Sequence, residues 1–100
     1  MTRGRYRMTL IHNVPDFERW RRVVFENPDA RREGVLRRSV FRSLDDPNEV
    51  MVDLEFESAE AAKAVIPSVD FRDLLDRAGI EVYPPVFIGE EVDDLRFERP

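Results

Sequence analysis

The 100-residue chain reads as one α+β domain, a four-stranded antiparallel sheet with helices on one face, in the order β-α-β-β-α-β. Three observations predict it. Val50, Val52, Leu54 and Phe56 alternate strictly with Met51, Asp53 and Glu55, the two-residue period of a half-buried strand. Phe17, Trp20 and Val24 recur at i, i+3 and i+7, the period of an amphipathic helix. Between such segments fall proline, glycine and short polar residues, the usual breakers and caps.

The elements follow in order. Residues 7–14 read as the first strand. A helix is expected over 15–26, with Pro15 in its first turn, where a missing N–H has no partner to lose, and Asp16 at its positive end. Asn27-Pro28 interrupts it, and Asp29 caps a short extra turn ending at Gly34. Residues 35–43 form the second strand, Asp45-Asp46-Pro47-Asn48 a turn, and 50–56 the third strand. Ser58 caps a helix to about Ile66, Pro67 stops it, Ser68 caps a second piece, and Gly79 closes that piece. Residues 80–92 are expected as the last strand, with Pro84-Pro85 at a bend or an edge, since neither donates to a ladder. The folded core is placed at about 7–92, followed by an acidic tail over 93–100. Two right-handed crossovers put both helical segments on one face. That is the ferredoxin-like arrangement, and it leaves the other face bare. A bare, partly apolar face predicts a homodimer about a two-fold axis, with Ile11, Val40 and Met51 expected on it.

Composition narrows the function. The chain is 42% apolar and 37% charged, with a net charge of −5. The charge is uneven: 11 basic and 5 acidic residues up to Arg42, 5 basic and 16 acidic from Ser43. Two halves of one small domain neutralise each other across paired strands, so no nucleic-acid partner is expected. Without cysteine there is no disulfide, thiolate nucleophile or cysteine metal site. A single histidine makes zinc binding improbable. No apolar run has membrane-spanning length, and the first residues lack the apolar core of a signal peptide. A cytoplasmic protein with no membrane partner is the expectation. Phosphate loops, dinucleotide fingerprints and nucleophile elbows are absent from the sequence.

One set of motifs points further. Val14-x-Asp16-x-x-x-Trp20, Gly34 opening a strand, Phe41-Arg42 before Asp45-Asp46-Pro47-Asn48-Glu49-Val50, Glu55-Phe56, the alanine-rich helix after Ser58, and Ala78-Gly79 occur in sequence. Over residues 8–92 this pattern resembles the small dimeric α/β-barrel proteins of the antibiotic-biosynthesis-monooxygenase type. The resemblance implies two sheets facing each other in a dimer, with ligands held between each sheet and its helices or loops. It also implies cofactor-independent chemistry on activated aromatic polyketides, or haem degradation, or cyclisation. Haem-degrading members use an asparagine on the first strand, with a tryptophan and a histidine farther on. Asn13 matches the asparagine, but Trp20 sits on the first helix and no histidine follows His12. No haem or other cofactor is therefore expected.

Five residues are candidates for chemistry. His12 is the only imidazole and titrates near neutrality. It is either a catalytic base or a partly buried strand-end histidine. Asp53 lies on an inner strand, where a carboxylate needs compensation. It belongs either to a catalytic site or to an interface network. Placing Leu44 opposite Glu49 sets Arg38 against Glu55, Val40 against Asp53 and Arg42 against Met51, so Arg38 becomes the expected partner of Glu55, with Asp53 reaching Arg38 or Arg42 diagonally. Asn13, Arg38 and Tyr83 complete the set as substrate-binding groups in a pocket beside the sheet. Trp20 is read as core. Function then divides three ways: a cofactor-independent monooxygenase or cyclase-like enzyme on a small aromatic or polyketide-type substrate, a non-catalytic dimeric ligand-binding or stress-related module, or a structural dimer or partner subunit.

Overall fold

The computed structural model describes residues 5–26 and 34–98. Its elements are β1 (Tyr6–Asn13), α1 (Phe17–Phe25), β2 (Val35–Arg42), β3 (Glu49–Phe56), α2 (Ala59–Val65), α3 (Val69–Arg77) and β4 (Val86–Glu90). The strands form one antiparallel sheet in the order β2-β3-β1-β4, as the order of elements predicts. The extra turn expected over 29–33 lies outside the described residues.

Alternation decides which face each strand residue takes. Val50, Val52 and Phe56 of β3 are buried beside Met8 and Leu10 of β1. Trp20 and Val24 of α1, Ala62 and Val65 of α2, and Phe71 and Leu75 of α3 join them in one core cluster. The described helices α1, α2 and α3 therefore cover the same face. Trp20 is 1% exposed, a packing residue as its place in the helical stripe predicts.

The helix ends are set by side chains. Asp16 Oδ1 accepts from the Arg19 amide at 3.2 Å, which makes Asp16 the N-cap and leaves Pro15 outside the helix rather than in its first turn. Ser58 caps α2 by accepting from Ala61, and Ser68 caps α3 by accepting from Phe71, both at 3.1 Å. Gly79, at φ +82, ends α3. The Ile80 amide donates to Leu75 O at 2.9 Å and the Gly79 amide to Asp76 O at 3.1 Å, the paired bonds of a Schellman motif.

Two sequence expectations are corrected here. The last strand covers 86–90, not 80–92. Pro84 and Pro85 have no amide hydrogen to give, so the ladder with β1 starts only at Val86. The β2–β3 register also differs by one residue. Ser43 Oγ accepts from the amides of Asp45 and Asp46, at 3.1 and 3.2 Å, and the Ser43 amide donates to Glu49 O at 2.9 Å. That closes the hairpin at Ser43 and Glu49 and pushes Leu44 into the turn, fully exposed. Arg37 thus faces Glu55, Ser39 faces Asp53, and Phe41 faces Met51. One step of register moves every side chain to the opposite face. Arg38 and Val40 point toward the helices, not toward the bare face. The apolar groups found exposed on that face are Ile11, Phe41 and Phe87.

Candidate functional site

Strand β1 carries residues to both sides of the sheet, and the two sides differ in chemistry. On the helix side, His12 stands opposite Val50. Its ring meets the Trp20 indole edge to face, with centroids 6.0 Å apart. Trp20 is also stacked on Phe17 at 5.9 Å and touches Phe25 at 6.1 Å, so His12 joins an aromatic cluster. The residue as a whole is only partly buried, yet both of its ring nitrogens are covered and neither has a hydrogen-bond partner among the described residues. Burial pushes its pKa below the ordinary 6.5. The imidazole is therefore neutral near pH 7, with one nitrogen able to donate and the other to accept.

This histidine borders a cavity of about 70 Å³ between the sheet and the helices, partly open to solvent. Met8, Leu10, Trp20, Leu54, Phe71 and Leu75 supply apolar wall. Among the described residues the other polar lining groups are Arg38 and Asp70, both exposed, which places them at the mouth. Arg38 Nη1 donates to Val24 O at 2.6 Å, and its guanidinium carbon lies 5.3 Å from the Phe25 ring centroid. Backbone and aromatic contacts thus hold the cation in place. By register Arg42 stands in the same row as His12, two strands away, and Arg38 lies four residues further along β2. The Cα atoms of His12 and Arg38 are then roughly 16 Å apart, from strand spacing and rise. A half-buried imidazole and a guanidinium at the rim both border the cavity.

The bare face holds a different network. Arg7 Nη1 donates to Asp53 Oδ2 at 2.6 Å, and Thr9 Oγ1 donates to Asp53 Oδ1 at 2.9 Å. Glu55 and Glu91 lie 3.8 and 3.7 Å from Arg7 Nη2. Arg7, not Arg38, is therefore the compensating cation for Asp53 and Glu55. Alternation in β1 signals this in the sequence, since it puts Arg7, Thr9 and Ile11 on one side. The β1–β3 register that brings Arg7 to Asp53 is long-range and has no turn to reveal it.

Of the five predicted residues, the structure brings His12 and Arg38 to one cavity. Asp53 and Asn13 are on the opposite side of the sheet, opposite Thr9 and Glu49 respectively. Tyr83 is outside the cavity wall. Its ring packs edge to face on Phe71 at 5.9 Å, and its hydroxyl accepts from Arg72 Nε at 3.1 Å. Asp70 is the rim group that sequence reasoning missed; as the second residue after a Ser cap, it reads as helix-end decoration. Among the described residues no cluster of His, Cys, Asp and Glu could hold a metal ion, and no helix is long and apolar enough to cross a membrane.

No family model matches the sequence, and no curated protein matches it. Solved structures do match in fold. One is a protein from Caulobacter crescentus CB15 provisionally named an antibiotic biosynthesis monooxygenase, at 15% identity and TM-score 0.71, with 91% of this chain and 92% of that one covered. A protein from Nitrosomonas europaea with the same provisional name is 15% identical at TM-score 0.70, with coverages of 92% and 94%. Another, from Bordetella bronchiseptica, is 17% identical at TM-score 0.70, with coverages of 92% and 99%. This chain has the ferredoxin-like α+β fold of the antibiotic-biosynthesis-monooxygenase-like proteins.

Proposed function

We propose that the protein is a cofactor-independent monooxygenase or cyclase-like enzyme acting on a small aromatic or polyketide-type substrate, working as a cytoplasmic homodimer. The observation that carries this is His12: a neutral imidazole whose two covered nitrogens lack partners, at the wall of an apolar cavity. A buried polar group without a partner costs free energy, and a turn of the ring that brings a nitrogen into the cavity would let a ligand hydroxyl or enol supply the missing bond. In this reading His12 Nδ1 or Nε2 takes a proton from an activated C–H or O–H of the substrate, as a general base. The resulting carbanion or enolate then follows one of two courses. It reacts with O2, so that a CH2 flanked by aromatic rings becomes C=O and the second oxygen atom leaves as water. Alternatively it attacks a carbonyl of the same molecule, and the ring closes with loss of water. The apolar walls exclude bulk water from the anion.

Dimerisation is supported by the bare face, where Ile11, Met51 and Phe41 form one cross-strand row beside the Arg7–Asp53 network. A cytoplasmic location suits a chain without cysteine. The names of the structural neighbours favour the oxygenase course; they describe those proteins. One observation favours the non-catalytic ligand-binding module instead: among the described residues no carboxylate orients the His12 ring. Oxygen uptake with anthrone, whose CH2 would become the second carbonyl of anthraquinone, separates the two. The enzymatic reading expects turnover that His12→Gln lowers by about a hundredfold or more. Turnover unaffected by that change, or none in the wild type beside measurable binding, counts against it.

A further inference from the structure

We infer that the cavity selects an elongated apolar monoanion, its carboxylate held by Arg38 at the mouth and a hydroxyl at its other end meeting His12. This rests on the helix-side cavity being the ligand site. Both residues line one cavity, and the sheet register sets their backbones two strands and four residues apart. The wall between them is apolar, formed among others by Met8, Leu54 and Phe71. A compact polar molecule would leave one end or the other unmet. A hydroxyaryl or hydroxyalkyl carboxylate meets both, and its middle replaces water against hydrocarbon.

Arg38 suits the anionic end for a structural reason. Its bond to Val24 O and its place over Phe25 fix the guanidinium before any ligand arrives. A pre-ordered fork loses less side-chain freedom on binding a carboxylate. Val24 takes one of the five guanidinium N–H donors. Asp70, across the rim on α3, sets the charge limit. One carboxylate is balanced by Arg38, whereas a second would face Asp70 unbalanced. The hydroxyl end is chosen by His12, whose neutral ring offers both a donor and an acceptor and has neither matched.

The test uses 3-(4-hydroxyphenyl)propanoate, its primary amide and the corresponding 1,3-dicarboxylate, a 2-(4-hydroxybenzyl)malonate. Binding is measured by calorimetry at low ionic strength, because a rim charge is screened by salt. The propanoate is expected to bind about tenfold or more tightly than the amide, the scale of one charge-assisted contact. The malonate is expected to gain nothing over the propanoate. Arg38→Gln should bring acid and amide to within about twofold, and Arg38→Lys should retain part of the preference. Equal binding of acid and amide to the wild type overturns the inference while leaving the cavity as the ligand site. That outcome needs no variant, so a misfolded Arg38→Gln protein cannot mask it. Failure of all three probes to bind removes the cavity reading and the inference together.

Discussion

His12 and Trp20 meet edge to face with ring centroids 6.0 Å apart, and this contact covers the imidazole without giving it a hydrogen bond. It ties a titratable ring to the centre of the hydrophobic core, because Trp20 is itself buried among Phe17, Phe25 and the sheet. The stability of the fold and the protonation of the candidate base are thereby linked.

The link has a defined sign. Burial holds the folded-state pKa of His12 below 6.5. Well above that value the ring is neutral in both states and contributes no pH dependence. As pH falls through 6.5, the unfolded chain takes up a proton that the folded state resists, so unfolding becomes easier. The loss stops once pH passes the lowered folded-state pKa. Wild-type protein should therefore lose stability relative to His12→Gln as pH is lowered from about 7 to about 5. Urea denaturation of both proteins across that range checks it, and parallel pH profiles would contradict it.

Trp20→Ala should destabilise the protein by about 3–5 kcal/mol, as truncation of a large buried aromatic does. Such a loss approaches the whole stability of a small domain. Trp20→Phe keeps an aromatic ring against His12 and should retain the fold with a smaller loss. Denaturant midpoints for the two variants, read with circular dichroism, test the order.

Gly79 sits at φ +82, and a Cβ there would come 3.3 Å from Arg19 Nη1 and 3.6 Å from Pro15 Cγ. Gly79→Ala should cost about 1–2 kcal/mol, chiefly from the left-handed backbone. The expected readout is a lower melting temperature with unchanged ligand affinity.

Asp53 is tied to Arg7 and Thr9 on the bare face and has the sheet between it and the cavity. In the proposed homodimer, Asp53→Asn should weaken self-association by about tenfold, since it removes the carboxylate nearest to Arg7. Affinity for the cavity probes should stay the same. Phe41→Glu, which puts a charge into the apolar row, should give monomers at micromolar concentration. Sedimentation velocity measures both; an unchanged dimer in Phe41→Glu would move the interface elsewhere.

Much of this architecture is legible in the chain because local chemistry sets it. The Ser58, Ser68 and Gly79 boundaries follow from side chains that satisfy helix-end amides or adopt positive φ. The alternation in β3 is equally local. What escapes is register. The side chain of Ser43 captures two turn amides and shifts β2 by one residue, so Arg38 moves from the carboxylate face to the cavity mouth. Composition cannot announce that choice. His12 is legible as a candidate, and its parity with Met8 and Leu10 is visible. Its cavity is not, because part of the wall comes from Phe71 and Leu75, which are remote from it in sequence.

The proposed function turns on His12 being a neutral imidazole at the wall of a ligand cavity. Long-range proton–nitrogen correlation spectra of the His12 ring, recorded while 3-(4-hydroxyphenyl)propanoate is titrated at about pH 7, test it most directly. The claim predicts one protonated and one unprotonated nitrogen in the free protein, with both resonances moving saturably as the probe binds. A doubly protonated ring in the free protein, or ring nitrogens that stay unmoved when the probe is saturating, would contradict it.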